Sequence, residues 1–277
     1  MSEKTWRVLS RSCRAGGFRM VLHWVGGPVM RSTSISLSML ALAASVGAAV
    51  AADMPVKAPP VAPEKIEYGN LYFGVDWTSH RSLAGYVGVL YAPGGMDKSG
   101  LRLAAFGLLG NYRYLGGDGE LFRGKFASVD GLVGWSKVFE NGAVTLSIGA
   151  NYQDHRIRPL DADNTVVGSK TGFKVQGDVW VNPTERTLVY ALASYSTAFD
   201  TYYAIGRLGY DVIGSGVFFG PEVGGLGNDR TDQFRIGSHL SGLAVGSTAK
   251  LGVSGGWMRE RGEGGGWYAT ANLDFSF

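Results

Sequence analysis

The chain has 277 residues, 43 of them Gly, with 13 Tyr, 13 Phe, 7 Trp, a single Cys and only 18% charged residues. A Gly-rich, aromatic, weakly charged composition excludes coiled coils, ordinary helical bundles and charged disordered tails, and one Cys cannot build a disulfide framework or a Cys-rich zinc site. The formal charge of +3 suggests a basic protein, but that suggestion fails once the chain is divided.

Residues 1–51 read as an N-terminal extension and a cleaved export signal. Residues 1–30 carry Lys4, Arg7, Arg11, Arg14 and Arg19 against Glu3 alone. They fit an over-extended start, with Met20 or Met30 as the initiator. Arg31 then opens an apolar, small-residue stretch from Ile35 to Val50, and Ala49-Val50-Ala51 suits signal peptidase. This pattern predicts cleavage near Ala51-Ala52. The stretch is too short and Ser-rich for a spanning helix, which needs ~20 strongly apolar residues. The prefix holds 6 of the 26 Lys and Arg and 1 of the 23 Asp and Glu, leaving residues 52–277 at net −2. The sequence therefore predicts no nucleic-acid partner. Cys13 also lies in the prefix. Residues 52–69 contain Pro55, Pro59, Pro60 and Pro63, the composition of an extended periplasmic linker.

From residue 70 the pattern has period two. Leu71, Phe73, Val75 and Trp77 alternate with Tyr72, Gly74, Asp76 and Thr78. Val144, Leu146, Ile148, Ala150 and Tyr152 alternate with Thr145, Ser147, Gly149 and Asn151. Phe173, Val175, Val179 and Val181 oppose Lys174, Gln176 and Asp178, and Leu251, Val253 and Trp257 oppose Lys250, Gly252 and Ser254. The ending is the clearest case: Trp267, Ala269, Ala271, Leu273, Phe275 and Phe277 share one parity, and Tyr268, Thr270, Asn272, Asp274 and Ser276 the other. Such alternation marks a strand with two different environments. Turn signals separate the runs, among them Pro93-Gly94-Gly95, Asn141-Gly142, Asn182-Pro183, Gly214-Ser215-Gly216 and Gly227-Asn228-Asp229. Residues 70–277 thus divide into about 12 strands, or ten if one pair is miscounted, with boundaries good to ~2–4 residues.

The expected fold is all-β, an antiparallel transmembrane up-and-down barrel. Spanning strands need ~9–11 residues, alternate apolar and polar faces, and carry aromatics near the interfaces. The competing architecture, a soluble barrel, would turn its apolar face inward. With both termini in the periplasm, the long connection around residues 161–170 falls on the outer side. Leu273, Phe275 and Phe277 form an aromatic ending of the kind that the barrel-assembly machinery reads in outer-membrane barrels.

Three stretches carry a more specific likeness: Tyr86 to Tyr114, Phe219 to Leu243 with its GPE…LGND…Q-x-R-x-G-x-H run, and Leu251 to Phe277. Across residues 70–277 the chain resembles the cellulose biosynthesis protein BcsS family. The resemblance implies a barrel in the cell outer membrane, accessory to cellulose synthase or export components or to their glucan, with no enzymatic mechanism to carry over. The start AADMPVKAPPVAP looks like that of smaller envelope barrels of the Omp25/Omp31 kind. A general envelope barrel or small-solute porin is therefore the alternative.

Site residues follow from parity. A hairpin turning between Asn228 and Asp229 would set Glu222 directly opposite Arg235 on the polar face, as a register-holding ion pair or as a lumen glycan contact. His239 shares that parity. No His pair has metal-ligand spacing, no Gly-x-Ser-x-Gly elbow occurs, and no helix follows a Gly-rich loop to cradle phosphate. The sequence predicts no catalytic residue, no metal and no cofactor. Trp267 reads as an interface girdle residue on the lipid-facing parity. Arg207, Arg235 and Tyr268 read as bulky side chains that narrow the lumen.

Overall fold

The computed structural model describes residues 66–116, 119–246 and 248–277. The export signal and most of the Pro-rich linker lie outside the described residues. Among them run twelve strands: β1 (Gly69–Thr78), β2 (Ser82–Tyr91), β3 (Gly100–Leu115), β4 (Leu121–Phe139), β5 (Gly142–Arg158), β6 (Gly168–Val181), β7 (Thr187–Ser196), β8 (Thr201–Tyr210), β9 (Phe218–Gly227), β10 (Asp232–Val245), β11 (Ala249–Glu260) and β12 (Gly264–Ser276). Each pairs antiparallel with its neighbours in sequence, and β1 pairs with β12, so the sheet closes. A closed sheet has no unpaired edge. The seam is sealed at the chain end: Phe277 N donates to Gly69 O at 3.0 Å and Tyr68 N to Phe277 O at 2.7 Å.

The expected strands are all present, with two local differences. β9, which a short turn at residues 213–214 would start near residue 215, begins at Phe218. The Asp211 carboxylate accepts N–H bonds from Gly214 at 2.8 Å, Ser215 at 3.1 Å and Gly216 at 2.5 Å, holding that segment as a turn. Gly142 already belongs to β5, opposite Phe139, so Glu140 and Asn141 form the turn. A Cβ at Gly142 would lie 2.3 Å from Trp180 O on β6, so close backbone approach requires the glycine.

Alternation sorts the side chains as a transmembrane barrel requires. Leu71, Phe73, Val75, Trp77, Leu109, Trp135, Leu146, Phe173, Phe234, Ile236 and Trp267 stand exposed on the outside. Thr78, Asp130, Asn151, Gln153, Glu222 and His239 are buried inside. A soluble barrel has the opposite arrangement; an apolar outer band around a polar interior is built for lipid.

The walls differ in height. β3, β4 and β5 have 16, 19 and 17 residues, whereas β7, β8 and β9 have 10 each. The projecting part of the tall wall has its own small core. Tyr114 packs on Phe122 with ring centroids 5.2 Å apart, and Tyr112 on Phe126 at 6.1 Å, beside buried Ile157 and Val166. The connection after β5 folds onto it: Tyr114 Oη donates to Asp161 Oδ2 at 2.6 Å and accepts from Asn164 Nδ2 at 2.8 Å.

Candidate functional site

The lumen is the candidate site, and its wall begins with glycine. In the β1–β2 hairpin, Tyr72 is opposite Gly88 and Tyr86 is opposite Gly74. A Cβ at Gly88 would lie 2.2 Å from the Tyr72 ring, and one at Gly74 2.5 Å from the Tyr86 hydroxyl. Each ring therefore lies flat over a residue with no side chain. The same reciprocal device recurs between β3 and β4, with Phe126 over Gly110 and Tyr112 over Gly124. The rings then meet one another: Phe106 lies 6.4 Å from Tyr72 and 6.1 Å from Tyr86. Offset and tilted ring pairs at such separations add to simple burial.

Three ionic clusters occupy the same face. Arg235 on β10 grips Asp76 on β1 with two bonds, Nη1 to Oδ2 at 2.6 Å and Nη2 to Oδ1 at 2.8 Å, while Thr270 donates to Asp76 at 2.8 Å. Its guanidinium also covers the Tyr268 ring, 4.9 Å from the centroid. Arg207 on β8 donates to Glu222 on β9 at 2.6 Å, and the Tyr268 hydroxyl from β12 donates to the other Glu222 oxygen at 2.8 Å. Tyr268 reaches that far because the residues between are Gly256 and Gly237, over which its side chain extends. Lys174 on β6 binds Asp130 on β4, which accepts from Asn151 on β5 at 2.5 Å. Asn151 continues through Gln153 at 2.7 Å and Ser196 at 2.7 Å. Bidentate and charge-assisted bonds of this kind are the stronger ones.

Glu222, Arg235, His239, Arg207 and Tyr268, singled out in the sequence for the polar face, do face the lumen, but one pairing is corrected. Arg235 is opposite Gly224 and Glu222 is opposite Gly237, two residues out of the expected register. The hairpin turns over four residues, Asn228 to Thr231, because Asn228 Oδ1 accepts Arg230 N at 3.0 Å and Thr231 N at 3.1 Å. Glu222 and Arg235 therefore bind different charged partners, Arg207 and Asp76, and share only Tyr268. His239 is 1% exposed; its Nε2–H donates to Leu208 O at 3.1 Å and its Nδ1 is 2.9 Å from Ser241 Oγ. It reaches β8 over Gly220, whose absent side chain leaves the way clear. Sequence reasoning missed Asp76, Asp130 and Lys174 as partners. For Asp76 and Asp130 the signal was a charge on an otherwise uncharged polar face; Lys174 shares its face with Asp178.

The β7–β8 turn leans against β5 and the β9–β10 turn. Phe199 and Asp200 have φ of 54° and 48°, unusual values for residues with side chains. Phe199 is buried edge-on against His155 of β5 at 5.1 Å, with Lys170 Nζ 5.4 Å from its ring. Gln153 Nε2 donates to Ala198 O at 3.2 Å, and Asp229 N to Phe199 O at 3.1 Å. The Tyr195 hydroxyl, followed by the Asp229 carboxyl, hydrogen-bonds Asp200 and lowers its pKa. Burial, and then the bond and charge of Asp200, raise that of Asp229. Burial works against ionisation of Asp211, but backbone N–H donors outweigh it and hold its carboxyl below the ordinary value.

Leu273 and Phe275 lie on the outside of β12, where Phe275 stacks on Phe73 at 5.7 Å, and Phe277 ends the seam. Trp267 is 64% exposed on the same outer face. Among the described residues, no group of three or more His, Cys, Asp or Glu is placed to hold a metal ion.

The family model for cellulose biosynthesis protein BcsS matches residues 70–277. No curated protein matches the chain. Among solved structures, the KdgM porin is 10% identical with a TM-score of 0.41, over 75% of this chain and 99% of that one. The β domain of the Bordetella autotransporter BrkA is 15% identical with a TM-score of 0.35, over 76% and 99%. A bacterial polysaccharide outer membrane secretin is 11% identical with a TM-score of 0.31, over 77% and 100%.

Proposed function

The chain belongs to the cellulose biosynthesis protein BcsS family, and from that premise we propose that it is a non-enzymatic outer-membrane barrel serving as a scaffold for cellulose synthesis or export. In this reading it is exported by its cleaved signal and embedded in outer-membrane lipid. The barrel-assembly machinery receives it through Leu273, Phe275 and Phe277. Its working partners are cellulose synthase or export components, or the glucan they release.

The observation that carries the scaffold reading over a conduit is the bonded lumen. Arg235 is bound to Asp76, Arg207 and Tyr268 to Glu222, and Lys174 to Asp130. Clusters whose members satisfy each other fix the wall and leave few free polar groups to pass a chain along. In this reading Glu222, Arg235 and His239 hold register and contact no glycan.

Deletion of the chain should reduce extracellular cellulose; unchanged cellulose would remove the cellulose role. Planar-bilayer recording should show no large stable conductance. A steady open pore would replace the scaffold with a small-solute porin. Glu222→Gln in a folded barrel should leave cellulose output unchanged, and a specific loss of output would make the lumen cluster a glycan contact.

A further inference from the structure

On the projecting part of the tall wall, the outer face turns from apolar to basic within one or two alternate positions. β3 passes from Leu109 to Asn111 and Arg113. β4 passes from Ala127 to Lys125 and Arg123, and β5 from Tyr152 past Asp154 to Arg156 and Arg158. Register aligns these residues in rows: Asn111, Lys125 and Arg156 lie side by side, and beyond them Arg113, Arg123 and Arg158. All five cations are exposed.

Directly opposed side chains have Cβ atoms ~4.5–5.5 Å apart, and like charges at that spacing destabilise a sheet. Among the described residues, ion pairing of these five cations is confined to Arg156. Arg156 donates to Asp154 at 2.8 Å, and Asp154 also accepts from Ser169 at 2.8 Å. Arg113, Arg123, Lys125 and Arg158 have no ion-pair partner among the described residues. Glu263 caps Leu115 N at 3.0 Å. Elsewhere on the same rim, alternation puts Trp77, Tyr195, Trp257 and Trp267 on the outer face. The pairing of β3 with β4 is already fixed from inside by the ring-over-glycine contacts, and Phe126 of β4 stacks on His155 of β5 at 5.8 Å, so the three guanidinium groups in a row are not needed for the fold.

We propose that this face binds the phosphate groups of a lipopolysaccharide in the outer leaflet. Guanidinium forks match phosphate oxygens in pairs, and several in one row suit a ligand with more than one phosphate. The rows begin where the apolar band ends, so acyl chains of the same molecule lie along Leu109, Ala127 and Tyr152. A soluble phosphate or polyanion would make no use of that continuity. The inference rests on the outer-membrane placement proposed above.

The test uses barrel extracted from membranes of cells expressing the full chain. Membrane fractionation comes first: recovery outside the outer membrane overturns the placement, and this inference with it. For barrel recovered there, lipopolysaccharide binding is titrated in detergent against the same lipopolysaccharide after phosphatase treatment. The expected result is at least a tenfold loss of affinity on dephosphorylation. A similar loss is expected in the triple variant Arg113→Gln, Arg123→Gln and Arg158→Gln. Lys137→Gln, at the other end of β4, should bind as the unaltered chain does. The triple variant should keep its heat-resistant folded band, since it removes repulsion. If it loses that band, Arg123→Gln alone is read instead, with a smaller loss expected. Equal binding of dephosphorylated lipopolysaccharide, or of phosphatidylglycerol vesicles, overturns the inference while leaving the placement intact. Tighter binding of a soluble acidic polysaccharide overturns it likewise.

Discussion

The tall wall of β3, β4 and β5 and the short wall of β7, β8 and β9 enclose one lumen by different means. A strand of ~9–11 residues suffices to cross a membrane. The short wall, at 10 residues per strand, does little more than that. The tall wall continues well past it, and everything beyond the lipid must satisfy itself. It does so with flat rings on glycine and the connection bonded to Tyr114. The short wall instead turns sharply and leans its Phe199 on the tall one. Height therefore separates two roles: the tall wall presents a surface to its surroundings, and the short wall braces its turn on the tall one.

The largest expected effects lie in backbone contacts on both walls. A Cβ at Gly149 would come within 2.0 Å of Gly131 O, and one at Gly220 within 1.9 Å of Leu208 O. Gly149→Val and Gly220→Val should each cost about 2–3 kcal/mol or more, read as loss of the heat-resistant band. Gly131→Val, with nothing within 4 Å of its Cβ, should be tolerated; equal damage there would break the account of close approach.

Next comes the link outside both walls. Arg235→Ala leaves Asp76 without its two bonds, with 12% and 22% of the two side chains exposed. After discounting for water in the lumen, the cost should be about 1–3 kcal/mol. A double-mutant cycle should give clear coupling for Asp76 with Arg235 and almost none for Glu222 with Arg235. The reverse result would restore the register expected from the sequence. Tyr268→Phe removes a single bond to Glu222 and should cost about 1 kcal/mol, measured by denaturant unfolding in detergent.

The smallest effect separates the walls by pH. Asp229 has a raised pKa, so its contribution to the closed turn is present at low pH and disappears as pH rises through its folded value. Asp200 has a lowered pKa, so its contribution is present above its ordinary value and is lost as pH falls through the folded one. The turn should hold best between the two. NMR signals of Phe199 and Asp200 should shift on the alkaline side, and Asp229→Asn should abolish that shift. An equal shift at Tyr114 on the tall wall would count against a local cause.

Strand number, facing and the polar lumen were legible because a period of two is local: each residue declares its side through its neighbours. Register at β9–β10 was not, since one side-chain oxygen of Asn228 widened the turn and moved Glu222 by two positions. The partner of Arg235 was illegible for a different reason. Asp76 lies 159 residues away, and only closure between β1 and β12 brings the two together. The tall wall's height was visible in strand lengths, but its rows of cations became rows only when register was known.

Tyr72 and Gly88 cannot drift independently. A side chain added at Gly88 meets the ring, and loss of the ring leaves bare backbone facing the interior. The viable route is exchange, with ring and vacancy trading strands as they already do at Tyr86 and Gly74. The unit that can be altered at such positions is therefore the couple, and a change to either residue alone acts on both strands.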